Sequence, residues 1–315
     1  MNEFKHTPVL MKESIEGLRI DPTGIYVDCT LGGGGHSQQI LQQLTTGHLY
    51  CFDQDPYALA KTKPKLEKIS DRFTIIDSNF VHLQEELAKR QVHRVNGILF
   101  DLGVSSPQFD NATRGFSYQH NERLDMRMDT RQSLDAYTIV NTWSYKELVR
   151  ILYQYADEKF AKAIVRKIEQ KREIAPIVTT FDLVDIIKEA MPAYALKKPG
   201  HPAKRTFQAL RIAVNDELRV FERALQQAFD MIDVKGRIAV ITFHSLEDKI
   251  CKYAFQEATR QDALTIGLPN IPETMLPKFT LVTKKAIVSS KEELLENNRA
   301  HSARLRIIER VRWDV

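Results

Sequence analysis

The chain has 315 residues, of which 43% are hydrophobic and 27% charged, with a net charge of +4, a balance that is typical of globular proteins and argues against disorder. Its three cysteines are widely spaced and form no C-x-x-C pair, which argues against a disulfide scaffold and a structural zinc site. Because we find neither a secretory signal nor an apolar run near the roughly 20 residues that span a bilayer, we expect a cytoplasmic protein without a membrane segment.

The first hundred residues alternate between short apolar runs and segments with helical spacing. The apolar runs predict strands near residues 25–30, 49–53, 73–77 and 97–101. Strands that alternate with helices in this way are typical of a parallel, doubly wound α/β sheet.

The alternation then stops, and no further strand is predicted before residue 236. The run 236–243 predicts a strand, and 278–288 and 303–311 alternate like an antiparallel pair at the sheet edge. The sequence therefore predicts a sheet domain in two parts with a helical domain inserted between them, over residues 1–109, 110–223 and 224–315.

A run of four glycines, Gly32 to Gly35, lies between the first predicted strand and a helix. Glycine lets the backbone approach a ligand closely, and the helix N-terminus supplies unpaired N–H groups. Asp53 ends the next strand, where an acidic side chain can bind both ribose hydroxyls. Together they indicate an adenosine-containing cofactor without choosing among such cofactors, and a tight structural turn is the alternative interpretation of the glycines.

The segment Asp101–Gln108, with the sequence DLGVSSPQ, follows the fourth predicted strand. It lies at the carboxyl edge of the sheet, where ligands bind in open α/β folds. An acid at a strand end followed by a Ser-Pro loop resembles the motif of amino-group methyltransferases that use S-adenosylmethionine. In those enzymes the loop holds the target amine in line with the methyl group of the cofactor.

Seven motifs in the expected order resemble one family, the bacterial 16S ribosomal RNA cytosine-N4 methyltransferases. The resemblance implies a class I S-adenosylmethionine-dependent methyltransferase sheet of the Rossmann-like type, with an inserted helical domain for substrate recognition. It also implies N4 methylation of a decoding-centre cytosine in 16S rRNA, with the assembled small subunit as substrate and without a metal. The motifs begin at His6, Gly32, Asp101, Arg114, Leu124, His201 and Phe243.

The resemblance also assigns roles to individual residues. Asp53 would hold the ribose, Asp101 would orient the methionine portion, and Phe80 would lie against the adenine, although a core aromatic is the alternative at that position. His36 would contribute mainly through its backbone at the helix N-terminus. The implied cofactor contacts are Gly34, Gly35, His36, Asp53, Phe80, Asp101 and Gln108.

The implied catalytic residues are Ser105, Ser106 and Pro107, which would position the amine, together with His244. His244 follows the strand at 236–243 and is a candidate proton acceptor, with a role of this segment in helix capping as the alternative.

Positive charge is concentrated in the helical segment, where residues 114–219 hold 19 Lys and Arg against 14 Asp and Glu. Such an excess fits a polyanionic partner, although a solvated helical face produces it as well. We predict RNA contacts at Lys197, Lys198, Lys204 and Arg205. A second basic group at helical spacing contains Lys159, Lys162 and Arg166.

Two other functions fit parts of the sequence. A nicotinamide-dependent oxidoreductase would use the glycine loop and Asp53 in the same way. A non-catalytic ribosome-assembly factor could retain the whole fold. The sequence leaves the oligomeric state open, a homo-oligomer included.

Overall fold

The computed structural model describes residues 8–104, 108, 112–265 and 269–313. The chain divides into two compact units. The first unit comprises residues 1–103 and 218–315, and the second comprises residues 104–217.

Within the described residues, a seven-stranded sheet with the order β3-β2-β1-β4-β5-β7-β6 forms the first unit. Strands β1 to β5 are parallel, whereas β7 runs antiparallel to both β5 and β6. The predicted doubly wound α/β class is confirmed, including the antiparallel pair at the edge. The strands are β1 (Ile25–Asp28), β2 (His48–Asp53), β3 (Phe73–Asp77), β4 (Val95–Asp101), β5 (Ile232–Thr242), β6 (Phe279–Leu281) and β7 (Arg304–Arg310).

The helices alternate with the strands up to β4, and most of the remaining helices lie between β4 and β5, as the sequence predicts. Residues 204–231 form two helices, because Asp216 between them adopts a left-handed conformation with φ of 47°. The helices are α1 (Met11–Leu18), α2 (Gly35–Gln43), α3 (Pro56–Glu67), α4 (Leu83–Ala88), α5 (Ala136–Thr142), α6 (Tyr145–Ala156), α7 (Ala161–Arg172), α8 (Thr180–Ala190), α9 (Ala193–Leu196), α10 (Lys204–Asn215), α11 (Glu217–Met231), α12 (Ser245–Ala258) and α13 (Lys291–Glu296). None of these helices is long and apolar enough to cross a membrane.

Both faces of the sheet are buried, which explains why the strands appear in the sequence as continuous apolar runs. Successive side chains of a strand point to opposite faces. In β4, Ile98 and Phe100 pack in one core cluster, and Leu99 packs in the other.

The second unit has its own core, formed by buried residues from α5 to α8 and α10, such as Ile139, Leu152 and Leu210. In contrast, Phe221 and Ala224 of α11 pack in the core of the sheet. The second unit ends at residue 217, at the first residue of α11, whereas the sequence-based boundary is residue 223.

Two of the motifs shared with the family hold the second unit together. Arg114 Nη2 donates hydrogen bonds to the carbonyls of Arg127 (2.7 Å) and Met128 (3.1 Å). Arg127 in turn forms a bidentate pair with Asp125, with both N···O distances at 2.8 Å. Asn215 at the end of α10 donates to the Met126 carbonyl at 2.8 Å. These contacts give the two motifs a structural role.

Candidate active site

Three aspartates lie at the carboxyl ends of adjacent parallel strands. Asp28 ends β1, Asp53 ends β2 and Asp101 ends β4, and β1 pairs with both β2 and β4. Ligands of open α/β sheets bind outside the carboxyl ends of the strands. The three carboxylates therefore mark the candidate active site.

The glycine loop connects β1 to α2 at this edge. Gly32 and Gly34 have φ values of 47° and 78°, in the left-handed region that favours glycine. A Cβ atom at Gly34 would lie 2.3 Å from Cγ2 of Thr62, whereas one at Gly33 would meet nothing within 4 Å. Thr62 Oγ1 also donates to the Gly32 carbonyl at 2.7 Å. Close packing against α3 thus requires glycine at position 34, a structural reason that the sequence did not reveal.

Asp53 ties the strand end to the glycine loop. Its carboxylate accepts hydrogen bonds from the backbone N–H groups of Gly32 (2.8 Å, to Oδ2) and Asp55 (2.9 Å, to Oδ1). Burial raises the pKa of Asp53 to about 6, although these two N–H groups lower it. Each carboxylate oxygen has a further lone pair, so the side chain can also accept from hydroxyl groups of a ligand.

Asp28 is a site residue that the sequence analysis missed. It is 1% exposed, and it accepts hydrogen bonds from Ser37 Oγ (2.6 Å) and from the Thr30 N–H (3.0 Å). Burial raises the pKa of this carboxyl group. Thr30 Oγ1 also accepts from the N–H of Asp101 at 2.7 Å, so Thr30 connects two of the strand-end aspartates. The available signal was an acidic residue at the end of an apolar strand, which the prediction counted only as part of the strand.

The ring of His36 faces the same aspartates. The side chain is buried, and Nδ1 lies 3.4 Å from Oδ2 of Asp101. Burial lowers the pKa of His36, but the hydrogen bond and charge of Asp101, with the charge of Asp28, outweigh it and leave the pKa raised. The raised pKa favours a charged imidazole beside these carboxylates. The prediction gave weight to the backbone of His36, and the structure adds this role of its ring.

Phe80 lies after β3, in a single turn of 3₁₀ helix over Phe80–His82. Its ring is partly exposed and packs edge-to-face on Phe100, with the centroids 5.8 Å apart. It contributes to the core and also presents part of its surface, so both interpretations of this residue fit its placement.

His244 is the N-cap residue of α12, so the capping role considered for this segment is observed at His244 itself. Its Nδ1 accepts from the N–H of Glu247 at 3.5 Å, and Glu247 Oε2 accepts from the N–H of His244 at 3.2 Å. His244 Nε2 lies 3.0 Å from Glu247 Oε1. Helix capping is thus an observed role of His244, and its catalytic role stays a prediction.

The other predicted site residues are placed as follows. Ser105, Ser106 and Pro107 lie outside the described residues. Gln108 is buried and belongs to the second unit. The predicted RNA contacts are all exposed in the same unit, at Lys197, Lys198, Lys204 and Arg205.

We tested whether the edge suits S-adenosylmethionine, which carries positive charge on its sulfonium and its ammonium group. Asp101 Oδ1 is buried and has no hydrogen-bond partner among the described residues. A buried acceptor without a partner costs free energy until a donor reaches it. An ammonium group is such a donor, and the carboxylate of Asp101 suits its positive charge. The residues therefore fit the cofactor.

The sheet order, the glycine loop and the acidic carboxyl edge together define the class of protein. This is a class I methyltransferase, an enzyme that takes its methyl group from S-adenosylmethionine.

Comparison with known proteins narrows the class to a family. The model of the MraW methylase family matches residues 3–311. Ribosomal RNA small subunit methyltransferase H of Exiguobacterium sibiricum is 60% identical over 309 residues, which cover 98% of this chain and 99% of that protein. The protein of the same name from Limosilactobacillus fermentum is 54% identical over 316 residues, which cover 99% and 100%. The chain belongs to the MraW methylase family, and the oxidoreductase alternative is not favoured.

The two neighbouring glycines of the loop give a matched pair of variants. We expect Gly34→Ala to lower the free energy of unfolding by about 2 kcal/mol, because the left-handed conformation alone costs roughly 1–2 kcal/mol for alanine. We expect Gly33→Ala to change it by at most about 0.5 kcal/mol, since its Cβ enters open space. Urea denaturation followed by circular dichroism measures both values. Equal losses in the two variants would contradict this account of the loop.

We expect cofactor affinity to depend on pH through the raised pKa of Asp53. The ionised carboxylate accepts from hydroxyl groups more strongly than the protonated acid, so the Kd for S-adenosylhomocysteine should rise as the pH falls below about 6. Asp53→Asn should bind more weakly and lose this pH dependence. Titration calorimetry between about pH 5 and 8 measures it.

The pH dependence of stability that Asp53 produces has the opposite sign to that expected for cofactor binding. The pKa of Asp53 is raised from its ordinary value near 3.8 to about 6 in the folded chain. Its contribution to stability is therefore largest at low pH and decreases as the pH rises through that window. A Kd that stays constant across the range, or an equal pH dependence in Asp53→Asn, would show that this carboxylate does not hold the cofactor.

Proposed function

We propose that this methyltransferase acts on small-subunit ribosomal RNA and methylates N4 of a decoding-centre cytosine in 16S rRNA. The proposal rests on Asp101, which lies at the carboxyl edge of the sheet, four residues before Ser105. One of its carboxylate oxygens is buried and has no hydrogen-bond partner among the described residues. The seven motifs and the names of both relatives support an RNA substrate.

We assign the strand-end residues to the cofactor. Asp53 accepts from the ribose hydroxyls, and Asp101 Oδ1 accepts from the methionine ammonium group. The N-terminus of α2, at Gly34, Gly35 and His36, suits the methionine carboxylate, because its N–H groups lack partners within the helix. Phe80 provides an apolar surface for the adenine. Gln108 is the remaining contact.

The chemistry requires a positioned amine. When bound, S-adenosylmethionine supplies a methyl group on a positively charged sulfur, an electrophile that an amine can attack directly. The N4 lone pair of cytosine is delocalised into the ring, so groups that accept the N4 hydrogens favour the nucleophilic form. Ser105, Ser106 and Pro107 follow Asp101 closely enough in sequence to supply such groups. We keep His244 as a candidate proton acceptor, in addition to its role in the helix cap.

We assign recognition of the RNA to the second unit. Lys197, Lys198, Lys204 and Arg205 are exposed there and suit phosphate groups. The target base must be unstacked or single-stranded to enter a pocket at a sheet edge. Methylation of the assembled small subunit, as opposed to free RNA, is part of the proposal.

The proposal is tested by methyl transfer from labelled S-adenosylmethionine to small subunits from a strain that lacks this protein. We expect N4-methylcytidine at one decoding-centre position, identified by nuclease digestion and mass spectrometry. Asp101→Asn, which keeps the size of the side chain, should lower kcat/KM by roughly 10- to 100-fold, as expected when one charge-assisted hydrogen bond is lost.

Free 16S rRNA in parallel reactions shows whether assembly is required. Label in another nucleoside would contradict the proposed atom. No label in subunits or in free RNA, with S-adenosylhomocysteine still bound, would favour the non-catalytic assembly factor.

A further inference from the structure

The second unit carries an exposed tyrosine in a basic environment. Tyr194 in α9 is 63% exposed, and Lys198 Nζ lies 5.8 Å from the centre of its ring. Single exposed aromatic residues are common and carry no meaning alone. Tyr194 is of interest because of the residues that surround it.

The fold brings together two basic segments that are separate in the sequence. The ring of Phe160, at the start of α7, lies 6.4 Å from the ring of Tyr194. Arg205 Nη1 of α10 donates to the carbonyl of Asp157 at 2.7 Å. The segment that precedes and opens α7 therefore packs against the segment that contains α9 and the start of α10. We use the name Tyr194 face for Tyr194 together with the exposed lysines of these two segments, Lys159, Lys162, Lys197, Lys198 and Lys204.

The lysines of this face have few acidic neighbours in sequence, of which Asp157 is exposed. Residues 190–215 contain no Asp or Glu. Glu158, next to Lys159, is 2% exposed, and its Oε1 accepts from the N–H of Phe160 at 2.9 Å. All five lysines of the face are exposed. None of the five forms an ion pair with another residue in the described part of the chain.

A second aromatic group lies between the lysines in sequence. His201 stacks on Tyr118, with the ring centroids 4.2 Å apart and the planes 8° from parallel. Tyr118 in turn packs edge-to-face on Phe207, a core residue, with the centroids 5.6 Å apart. This packing holds the imidazole of His201, which is partly exposed and lies between Lys198 and Lys204 in sequence.

We propose that the Tyr194 face binds single-stranded ribosomal RNA, with a base stacked on the ring of Tyr194 and phosphates contacted by the lysines. The inference rests on the proposed function, since it names the form of RNA that the substrate must present. Unpaired bases stack on exposed aromatic rings, and cationic side chains follow the backbone. A continuous duplex would offer the phosphates but not the face of a base.

The ring is tested by Tyr194→Leu and Tyr194→Phe. The probe is a fluorescent single-stranded RNA of about 20 nucleotides with the sequence around the proposed target cytosine, long enough for one such binding surface. We expect Tyr194→Leu to raise the Kd by roughly 5- to 150-fold, the range that one base–aromatic stack supplies, and Tyr194→Phe to stay within about twofold of the unchanged protein. A matched control is Phe181→Leu, since Phe181 is 41% exposed but lies beside Asp182 and away from the basic segments in sequence.

The phosphate contacts are tested by Lys197→Gln with Lys198→Gln. For single-stranded nucleic acid each contact contributes about 0.7 to the slope of log affinity against log salt, so the double variant should lose about 1.4. The Kd for S-adenosylhomocysteine and the melting temperature should be unchanged in every variant.

Three results would overturn the inference. They are unchanged RNA binding by Tyr194→Leu, an equal loss in Tyr194→Phe, or an equal loss in Phe181→Leu. The outcome is separable from that of the proposed function. If methylation of the small subunit occurs while Tyr194→Leu binds RNA normally, only this inference fails. If Tyr194→Leu weakens RNA binding but no methylation occurs, only the proposed function fails.

Discussion

The candidate active site depends on the crowding of three carboxylates at one edge of a parallel sheet. Like charges in a poorly solvated place repel one another, and burial penalises each of them. The chain offsets this cost through the His36 ring, the Ser37 hydroxyl and backbone N–H groups at Asp28 and Asp53. One buried oxygen of Asp101 is left without a partner among the described residues. A cationic ligand would donate a hydrogen bond to that oxygen and balance negative charge at the acidic edge.

The charged side chains that matter in the two units differ in sign. The sheet unit collects acidic side chains at its carboxyl edge, which suits a cofactor with positive charge. The helical unit exposes several lysines and the ring of Tyr194, which suits a polyanion with flat bases. Each unit has its own buried core, so each can hold its functional surface in place with contacts of its own.

Much of this could be predicted because it follows from local sequence. The carboxyl ends of parallel strands meet at one edge, so Asp53 and Asp101 could be placed there from the strand pattern alone. The antiparallel strands at the edge also followed from their alternation. Asp28 was missed because an acid within an apolar run looks like part of the strand, and its hydrogen bond to Ser37 is apparent only when α2 is in place.

Other features depend on residues that are distant in the sequence. Gly34 is required by Thr62 of another helix, and no motif near the loop indicates that contact. The helix cap at His244 depends on the course of the backbone after β5, which makes His244 the residue that precedes the helix. The Tyr194 face exists because Phe160 and Arg205 bring two segments together. Such contacts could not be read from charge spacing along the chain.

The most direct test of the account is a crystal structure of the protein with S-adenosylhomocysteine. We expect the ribose hydroxyls to lie within hydrogen-bonding distance, about 3.2 Å or less, of the Asp53 carboxylate and the ammonium group to lie equally close to Asp101 Oδ1. A cofactor bound elsewhere, or an Asp101 Oδ1 that contacts neither the ligand nor an ordered water, would contradict the claim that the acidic strand ends form the cofactor site.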